Sequence, residues 1–465
     1  MLRFCLDLFA KTLSKVPESC LAASTEVLGA LSFATFKKRR SVILSNLSHA
    51  FPEKSHTELI KIAKTSVARM FEMSLLSFCA GKFCNKRVQR SLEIPQKTQD
   101  FFEKRENDTR PVIYLVPHLT LMEMQPWLKT VVPSQQSREI TCIYRSLNQT
   151  ALEDHIKASR ETNGMRFRSR KEGLLECMYS LRKGGQVSIL FDQNARKSGA
   201  LVLFMDRLCA ATDLPGILAK KFKPEVRIIW VERMAFWRGK LQVETLPDAW
   251  TKSPEVVTAG AQLWLEKLFK ESPKQIPDWL WSHKRWGAEA RPAERFALQN
   301  DKVWLEVSAK LKGDSQIPRN TRVVMHLPQV KEEIDALIPT LNKIRKARPD
   351  MAFWMMAQPQ VLKHPKIEAI CDEAFPCGTL AEATSIVAGL QKRFPDLICD
   401  WVIDSSLALQ WKRAECPQIF GIATSEAKAA GYSHCHYLKS EDGIVLDFKE
   451  SSLRFAEKFG LPVET

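Results

Sequence analysis

One histidine and one glutamate stand where a buried strand is predicted to end and a helix to begin. In VIYLVPHLTLMEMQPW, residues 112–127, an apolar run closes at Pro117, His118 follows, and Glu123 comes five positions later. A neutral imidazole at a strand end can accept a hydroxyl proton as general base. A carboxylate in the first turn of the next helix can fold back onto the other ring nitrogen, fix its tautomer and stabilise the imidazolium. The alternative is an ordinary strand–loop–helix joint with an incidental histidine.

The elements around this pair alternate between strand-like and helical runs. We predict strands over residues 111–117, 138–145, 186–192, 226–234 and 239–246, and helices over 171–185 and 259–273. Such alternation is typical of an α/β sandwich, in which the ends of strands carry reactive groups.

The periodicity divides the chain into four regions. Residues 1–90 read as a helical N-terminal region, and residues 91–290 form the α/β domain that contains His118. The pattern weakens over 291–322, which we interpret as a linker. A second α/β pattern then covers residues 323–465 and predicts a smaller, doubly wound, Rossmann-like domain.

The charge of the chain favours anionic partners. Its 465 residues carry a formal net charge of +16, with a sequence pI of about 9.3. Nucleic acid, acidic lipid, phosphorylated substrates and an acidic carrier protein would all fit this balance. The sequence contains no zinc-finger spacing, no aromatic RNA-binding signature and no basic zipper, so we expect no nucleic-acid partner.

The most apolar stretch lies near the N-terminus. It covers residues 20–36, is shorter than the roughly 20 residues that a membrane span needs, and contains Glu26. The basic run KKRR, residues 37–40, follows it directly. We predict an amphipathic or shallowly inserted helix that attaches to an anionic membrane surface. A helix that packs in the protein core is the alternative.

The order and spacing of several motifs resemble the late acyltransferases of lipid A biosynthesis, the lauroyl/myristoyl transferase family. That family has the lysophospholipid-acyltransferase-like fold, and the resemblance covers about residues 5–290. The motifs that carry it are NLSHAFPEKS at 46–55, the His118/Glu123 pair, IYRSLN at 143–148, SRETNG at 159–164, FDQN at 191–194, FMDRLCAAT at 204–212 and WLWSHKRW at 279–286.

The resemblance implies an O-acyltransferase. A fatty acyl group would pass from a thioester, on acyl carrier protein or coenzyme A, to a hydroxyl of a lipid A precursor or similar glycolipid. His118 would be the base and Glu123 its orienter, with Arg160 and Asp192 as further catalytic residues. The substrate-binding residues would be Arg145, Asn148, Gln193 and Thr212. The resemblance implies no metal or organic cofactor, and a location on the cytoplasmic side of the inner membrane.

Other interpretations of these residues stay open. Arg145 and Arg160 would also suit surface charges that pair with neighbouring glutamates, and Asp192 would suit a loop cap. We expect His283, among tryptophans, to be structural. The chain as a whole would also suit an inactive acyltransferase-fold scaffold protein, or a bifunctional enzyme that transfers acyl groups and sugars.

The C-terminal part, from about residue 320, resembles the N-terminal half of a heptosyltransferase-type glycosyltransferase. The resemblance rests on IPTLNKIRKARPDMAFW at 338–354, PDLICDWVIDSS at 395–406 and CPQIFGIA at 416–423. Glu333 stands where that family has its catalytic aspartate, and the preceding glycine is absent. The chain ends at Thr465, where a second lobe for the nucleotide sugar would begin. We therefore expect a non-catalytic domain that binds a sugar acceptor or a partner.

Overall fold

Helices and parallel strands alternate along the chain, which confirms the mixed α/β prediction. The computed structural model describes residues 2–106, 108–135, 139–144, 149–162, 164–286, 298, 302–402, 407–411, 414, 416, 419–422 and 434–436.

The strands are β1 Leu92–Glu93, β2 Val112–Val116, β3 Ile140–Tyr144, β4 Met165–Ser169, β5 Gln186–Leu190, β6 Ala200–Phe204, β7 Arg207–Ala211, β8 Glu225–Ala235, β9 Arg238–Thr245, β10 Thr321–His326, β11 Met351–Ala357, β12 Glu373–Pro376, β13 Leu397–Asp400, β14 Ile419–Ile422 and β15 His434–His436. The helices are α1 Leu2–Lys15, α2 Glu18–Thr35, α3 Lys37–Ala50, α4 His56–Cys79, α5 Asn85–Ser91, α6 Gln96–Glu103, α7 Leu128–Val131, α8 Thr150–Glu161, α9 Arg170–Arg182, α10 Leu214–Phe222, α11 Pro254–Glu271, α12 Lys302–Lys312, α13 Lys331–Ala347, α14 Pro359–Leu362, α15 Pro365–Glu368, α16 Leu380–Leu390 and α17 Ala408–Trp411.

The chain folds into two compact units whose limits differ from the regions read off the sequence. The N-terminal unit comprises Met1–Leu47, Thr57–Val202 and Ala210–Arg285. The C-terminal unit comprises Trp286–Thr465 together with two earlier segments, Ser48–His56 and Leu203–Cys209. Helix α12 lies inside the stretch 291–322 that the sequence assigned to a linker.

The N-terminal unit is built on a sheet with the order β1-β9-β8-β2-β5-β3-β4. Its neighbours are parallel except for the β8–β9 hairpin. Strand β2 is buried along its whole length, as the continuous apolar run predicted. It pairs with β5 in a register that sets Val116 beside Leu190, so the residues after both strands leave the sheet at the same edge.

Helices α1 and α2 carry large apolar side chains on their surface. Leu2, Phe4, Leu8 and Phe9 of α1 are each more than half exposed, as are Val27 and Leu31 of α2. Within the residues that the structure describes, no single helix is both long and apolar enough to cross a membrane. Helices α2 and α3 satisfy that test only as a pair, and the chain bends by 97° between them.

The C-terminal unit holds a parallel sheet with the order β12-β11-β10-β13-β14-β15. Side chains of β10 alternate between two apolar cores, with Val323 and Met325 in the core beneath α13 and Val324 in the core beneath α16. The chain runs from β10 outward through β11 and β12, then crosses to β13 on the other side of β10. The strand order therefore reverses between β10 and β13, which is the pattern of a doubly wound sheet.

A buried group of charges joins the early segments of this unit to its sheet. Asp396 accepts hydrogen bonds from the Arg207 side chain and from the backbone N–H of Arg322, and the Nε2 of His49 lies 3.4 Å from its carboxylate. The guanidinium of Arg322 donates to the carbonyl of Ser48 at 2.9 Å. Burial, and then the charges of Arg207 and Arg322, lower the pKa of His49 to about 3. His49 is therefore neutral in the folded protein at pH 7.

This cluster predicts a loss of stability in mild acid. The unfolded chain takes up a proton on His49 below its ordinary pKa of 6.5, whereas the folded protein does so only near 3. Stability therefore falls by about 1.4 kcal/mol for each pH unit below that ordinary value. We expect His49→Gln to flatten this dependence between pH 6.5 and 4, measured as urea midpoints of the full chain. His364→Gln, at a partly exposed histidine of the same unit, is the control; equal slopes in both variants would contradict the assignment.

Candidate functional site

The imidazole of His118 lies against a carboxylate that comes from the neighbouring strand. His118 follows β2 and Asp192 follows β5, and the Nδ1 of His118 is 2.6 Å from Oδ1 of Asp192. The backbone N–H of His118 also donates to Oδ2 of the same carboxylate at 2.8 Å. Both side chains are buried. With the carboxylate as acceptor, Nδ1 carries the proton and Nε2 presents a lone pair, which is the tautomer that a general base requires.

Trp279 supplies the other donor to this carboxylate. Its indole Nε1 donates to Oδ2 of Asp192 at 2.6 Å, and its backbone bridges to Leu119, the residue after His118. Burial alone would raise the pKa of Asp192, but the electrostatic attraction and hydrogen bonds of His118 and the N–H of Trp279 outweigh it, so the pKa lies below its ordinary value. Asp192 therefore stays ionised and fixes the ring of His118.

The prediction that Glu123 hydrogen-bonds to the ring of His118 is wrong, because the ring is bound by Asp192 instead. Glu123 lies in a 3-10 helix, Met122–Trp127, and receives two hydrogen bonds from the guanidinium of Arg160, at 2.8 Å and 2.5 Å. Burial alone would lower the pKa of Arg160, but the carboxylate of Glu123 outweighs burial and raises the pKa above its ordinary value. The geometry thus gives two pairs, His118–Asp192 and Glu123–Arg160, from the four residues predicted to be catalytic.

The Glu123–Arg160 pair lines a narrow cleft. The rest of its wall is mainly apolar and includes Cys142, Phe167 and Leu190. Val116 and Met122, which flank the His118 segment in the sequence, also line it. An apolar cleft with one ion pair suits a hydrocarbon chain attached to a polar group.

His118 itself lines a second and much tighter cavity. Arg69 and Asp278 line it too, with Nε of Arg69 3.4 Å from Oδ1 of Asp278. The hydroxyl of Thr120 donates to the carbonyl of Asp278 at 3.1 Å. Burial raises the pKa of Asp278 to about 6. This cavity therefore combines the imidazole with a guanidinium and a carboxyl group that titrates near neutral pH.

Two of the predicted substrate-binding residues make other contacts, and the other two lie outside the described residues. Gln193 accepts at its backbone carbonyl from Arg285, at 3.0 Å, and the hydroxyl of Thr212 accepts from the N–H of Leu214 at 3.4 Å. Arg145 and Asn148 lie outside the described residues. The Nε2 of His283 accepts from the backbone N–H of Asn194 at 2.8 Å, in agreement with a structural role.

Sequence reasoning missed Trp279, Arg69 and Asp278 as members of the site. In the sequence, Trp279 stands out only as part of a tryptophan-rich segment. Its spacing from Asp192 does not predict that the two side chains meet. Arg69 and Asp278 come from α4 and from the segment before Trp279, far from His118 along the chain. Over the described part of the chain, no group of three or more histidine, cysteine, aspartate or glutamate side chains is placed to hold a metal ion.

A family model agrees with the reading of the N-terminal part. The model for bacterial lipid A biosynthesis acyltransferases matches residues 3–288, more than half of the chain. The chain therefore belongs to this family, and the resemblance predicted over about residues 5–290 is confirmed. No curated protein matches the chain.

Three of the solved structures that match are glycosyltransferases, the class that the resemblance predicted for the C-terminal part. One is a family 9 glycosyl transferase from Veillonella parvula, at 11% identity, and two are the E. coli heptosyltransferase WaaC, with ADP and with an ADP-heptose analogue, at 16% and 17%. Each covers 31% of this chain, which spans 42–50% of their lengths. The TM-score is 0.26 in all three, so the likeness carries no argument about activity.

The Trp279–Asp192 hydrogen bond predicts a pH-dependent contribution to stability. A carboxylate with a lowered pKa stabilises the folded state above its ordinary pKa, 3.8, and that stability is lost as pH falls through the folded pKa. Trp279→Phe removes one donor to the ionised carboxylate and raises the folded pKa toward 3.8, so we expect a loss of about 2 kcal/mol at pH 7 that shrinks as the carboxylate is protonated in acid.

Trp281→Phe is the matched control, because the indole of Trp281 donates to an uncharged carbonyl, that of Ile276. Both variants should lose stability at pH 7, and only for Trp279→Phe should the deficit relative to the wild type shrink as the pH falls below about 4 in guanidinium titrations. The same pH dependence in the two variants would contradict the role of Trp279.

Proposed function

We propose that the N-terminal unit is an acyltransferase domain that moves a fatty acyl group from a thioester to a hydroxyl of a lipid A precursor or similar glycolipid. The observation that carries the proposal is the His118–Asp192 hydrogen bond, at the carboxyl edge of the sheet and inside the segment that the family model matches. Both groups are buried, and the hydrogen bond at Nδ1 leaves the lone pair of Nε2 available to act as a base.

In the proposed reaction, Nε2 of His118 accepts the proton of the acceptor hydroxyl as its oxygen attacks the thioester carbonyl. A tetrahedral intermediate forms, and its C–S bond breaks to give the ester and the thiol. The imidazolium returns the proton to the leaving sulfur, so the ring ends as it began. Asp192 stabilises the imidazolium between these two transfers, which is the role of the carboxylate in a Ser-His-Asp triad.

The two arginines of the site have separate proposed roles. Arg69 shares a cavity with His118 and can meet the oxyanion of the intermediate or a phosphate of the acceptor. Arg160, held by Glu123 in the larger cleft, would position the thioester beside an apolar wall that receives its acyl chain. The donor would be acyl carrier protein or acyl-coenzyme A, both anionic, and the chain's net charge of +16 favours either.

The exposed apolar side chains of α1 and α2 support attachment to a membrane surface. They lie before the basic run Lys37–Arg40, and together these features suit an anionic bilayer. We propose a peripheral or monotopic protein on the cytoplasmic side of the inner membrane, where the glycolipid acceptor would be presented.

The mechanism predicts that His118 and Asp192 act together. His118→Ala should lower acyl transfer by about 10² or more, the scale for loss of a general base, and Asp192→Asn should lower it comparably. The assay follows transfer of a radiolabelled acyl group from acyl carrier protein to a lipid A precursor in mixed micelles, with folding checked by circular dichroism.

Lys270→Ala is the control, since Lys270 lies in the same unit and its side chain is exposed in the last turn of α11. Wild-type turnover by His118→Ala would sink the mechanism. Absence of transfer by the wild-type protein from both thioester donors would favour a scaffold protein with an acyltransferase fold.

Membrane attachment gives a separate prediction. Replacing Leu2, Phe4, Leu8 and Phe9 by glutamine should move the protein out of the vesicle fraction in flotation with anionic liposomes, because each buried side chain of this size contributes roughly 2 kcal/mol. The control is the double replacement of Val303 and Leu380, which are also more than half exposed but lie in the C-terminal unit. Unchanged flotation of the quadruple variant would rule out α1 as the anchor.

A further inference from the structure

The C-terminal unit contains a second imidazole–carboxylate pair. The Nδ1 of His326 lies 2.8 Å from Oδ1 of Asp400, and the indole of Trp411 donates to Oδ2 of Asp400 at 2.9 Å. This repeats the arrangement of His118, Asp192 and Trp279, including a separation of 74 residues between histidine and aspartate. The same donors and acceptors therefore give His326 the same tautomer, with a lone pair on Nε2.

The pair lies where a doubly wound sheet places its ligands. His326 is the last residue of β10 and Asp400 the last residue of β13, and the two are direct partners across the parallel strands. The strand order reverses between these two strands. In open α/β sheets, the crevice at the carboxyl ends of strands at such a switch point is the usual binding site.

The pair is built as a site rather than as packing. Asp400 is buried, whereas the side chain of His326 keeps 13% of its surface exposed. Asp400 also accepts from the backbone N–H of Val402 at 3.3 Å, so its carboxylate is fixed from three sides. A ring that is oriented on one nitrogen and reaches solvent at its edge can accept a hydrogen bond from a bound group.

The polar side chains that follow β10 and β11 suit a ligand that carries hydroxyl groups. They are amides, with Nε2 of Gln358 donating to Gln329 at 2.8 Å. The first turn of α13 adds one cation, Lys331, and two anions, Glu332 and Glu333, so its charges do not favour an anionic ligand.

We propose that His326 and Asp400 form a second ligand-binding site, at which Nε2 of His326 accepts a hydrogen bond from a hydroxyl group of a bound ligand and Asp400 positions the ring. The hydroxyl group keeps its proton, so the site needs no co-reactant. The site is independent of the acyl-transfer mechanism and needs no residue of the N-terminal unit.

The reactivity of the ring tests this proposal on the full chain. Nε2 attacks one carbonyl of diethyl pyrocarbonate, ethyl carbonate leaves, and the carbethoxylated ring releases its Nδ1 proton to water. Mass spectrometry of peptides then gives a rate for each histidine. We expect His326 to react faster than His364, although the side chain of His364 is more exposed, at 22%. His364 is the matched control because it lies in the same unit.

Asp400→Asn should slow the reaction of His326 by about tenfold or more, because the carboxylate that orients the ring is lost. The rate at His364 should not change. Slower modification of His326 than of His364 in the wild-type protein would overturn the proposal, and this comparison stands even where the variant fails to fold. An equal rate at His326 in a folded Asp400→Asn variant would also overturn it. Protection of His326 by millimolar inorganic phosphate would show that the ring binds an anion and would overturn the proposal, whereas an unchanged rate of modification would support it.

Discussion

The pairing of β2 with β5 is the constraint on which the proposed active site depends. Parallel strands in register bring their carboxyl ends to one edge, and this places Asp192 against the ring of His118 across 74 residues of sequence. A buried carboxylate without partners would protonate, so the site also needs the N–H groups of His118 and Trp279. The backbone bridge between Leu119 and Trp279 holds the Trp279 N–H group in place. It also ties the segment that follows α11 to the loop that contains His118.

Sequence patterns identified the strands and His118, but not which side chains meet. Glu123 is close to His118 in the chain, and proximity suggested a contact; the 3-10 helix instead turns Glu123 toward Arg160. Asp192 was assigned to the site by resemblance alone, because strand register is a non-local property that one sequence does not reveal. The partner of an imidazole is thus set by the sheet, and the residue types are set by local sequence.

The limits of the C-terminal unit show the same distinction. Periodicity placed the start of the second α/β pattern at residue 323, which lies within β10, because apolar spacing is a local property of the chain. The inclusion of Ser48–His56 and Leu203–Cys209 depends on Asp396, which gathers His49, Arg207 and Arg322 in a buried cluster. The spacing of these charged residues along the sequence does not predict the cluster. A buried ion cluster that loses one partner is strongly destabilised, so the early segments and the late sheet are parts of one folding unit.

The identity of the carboxylate on the His118 ring is tested most directly by the Nδ1 proton itself. Proton–nitrogen correlation spectra of histidine-labelled protein should show a downfield Nδ1–H resonance, assigned to His118 by its absence in His118→Gln. The account predicts that Asp192→Asn removes this resonance or shifts it strongly upfield, because the charged acceptor is lost, and that Glu123→Gln leaves it in place. A resonance that survives in Asp192→Asn and disappears in Glu123→Gln would contradict the account.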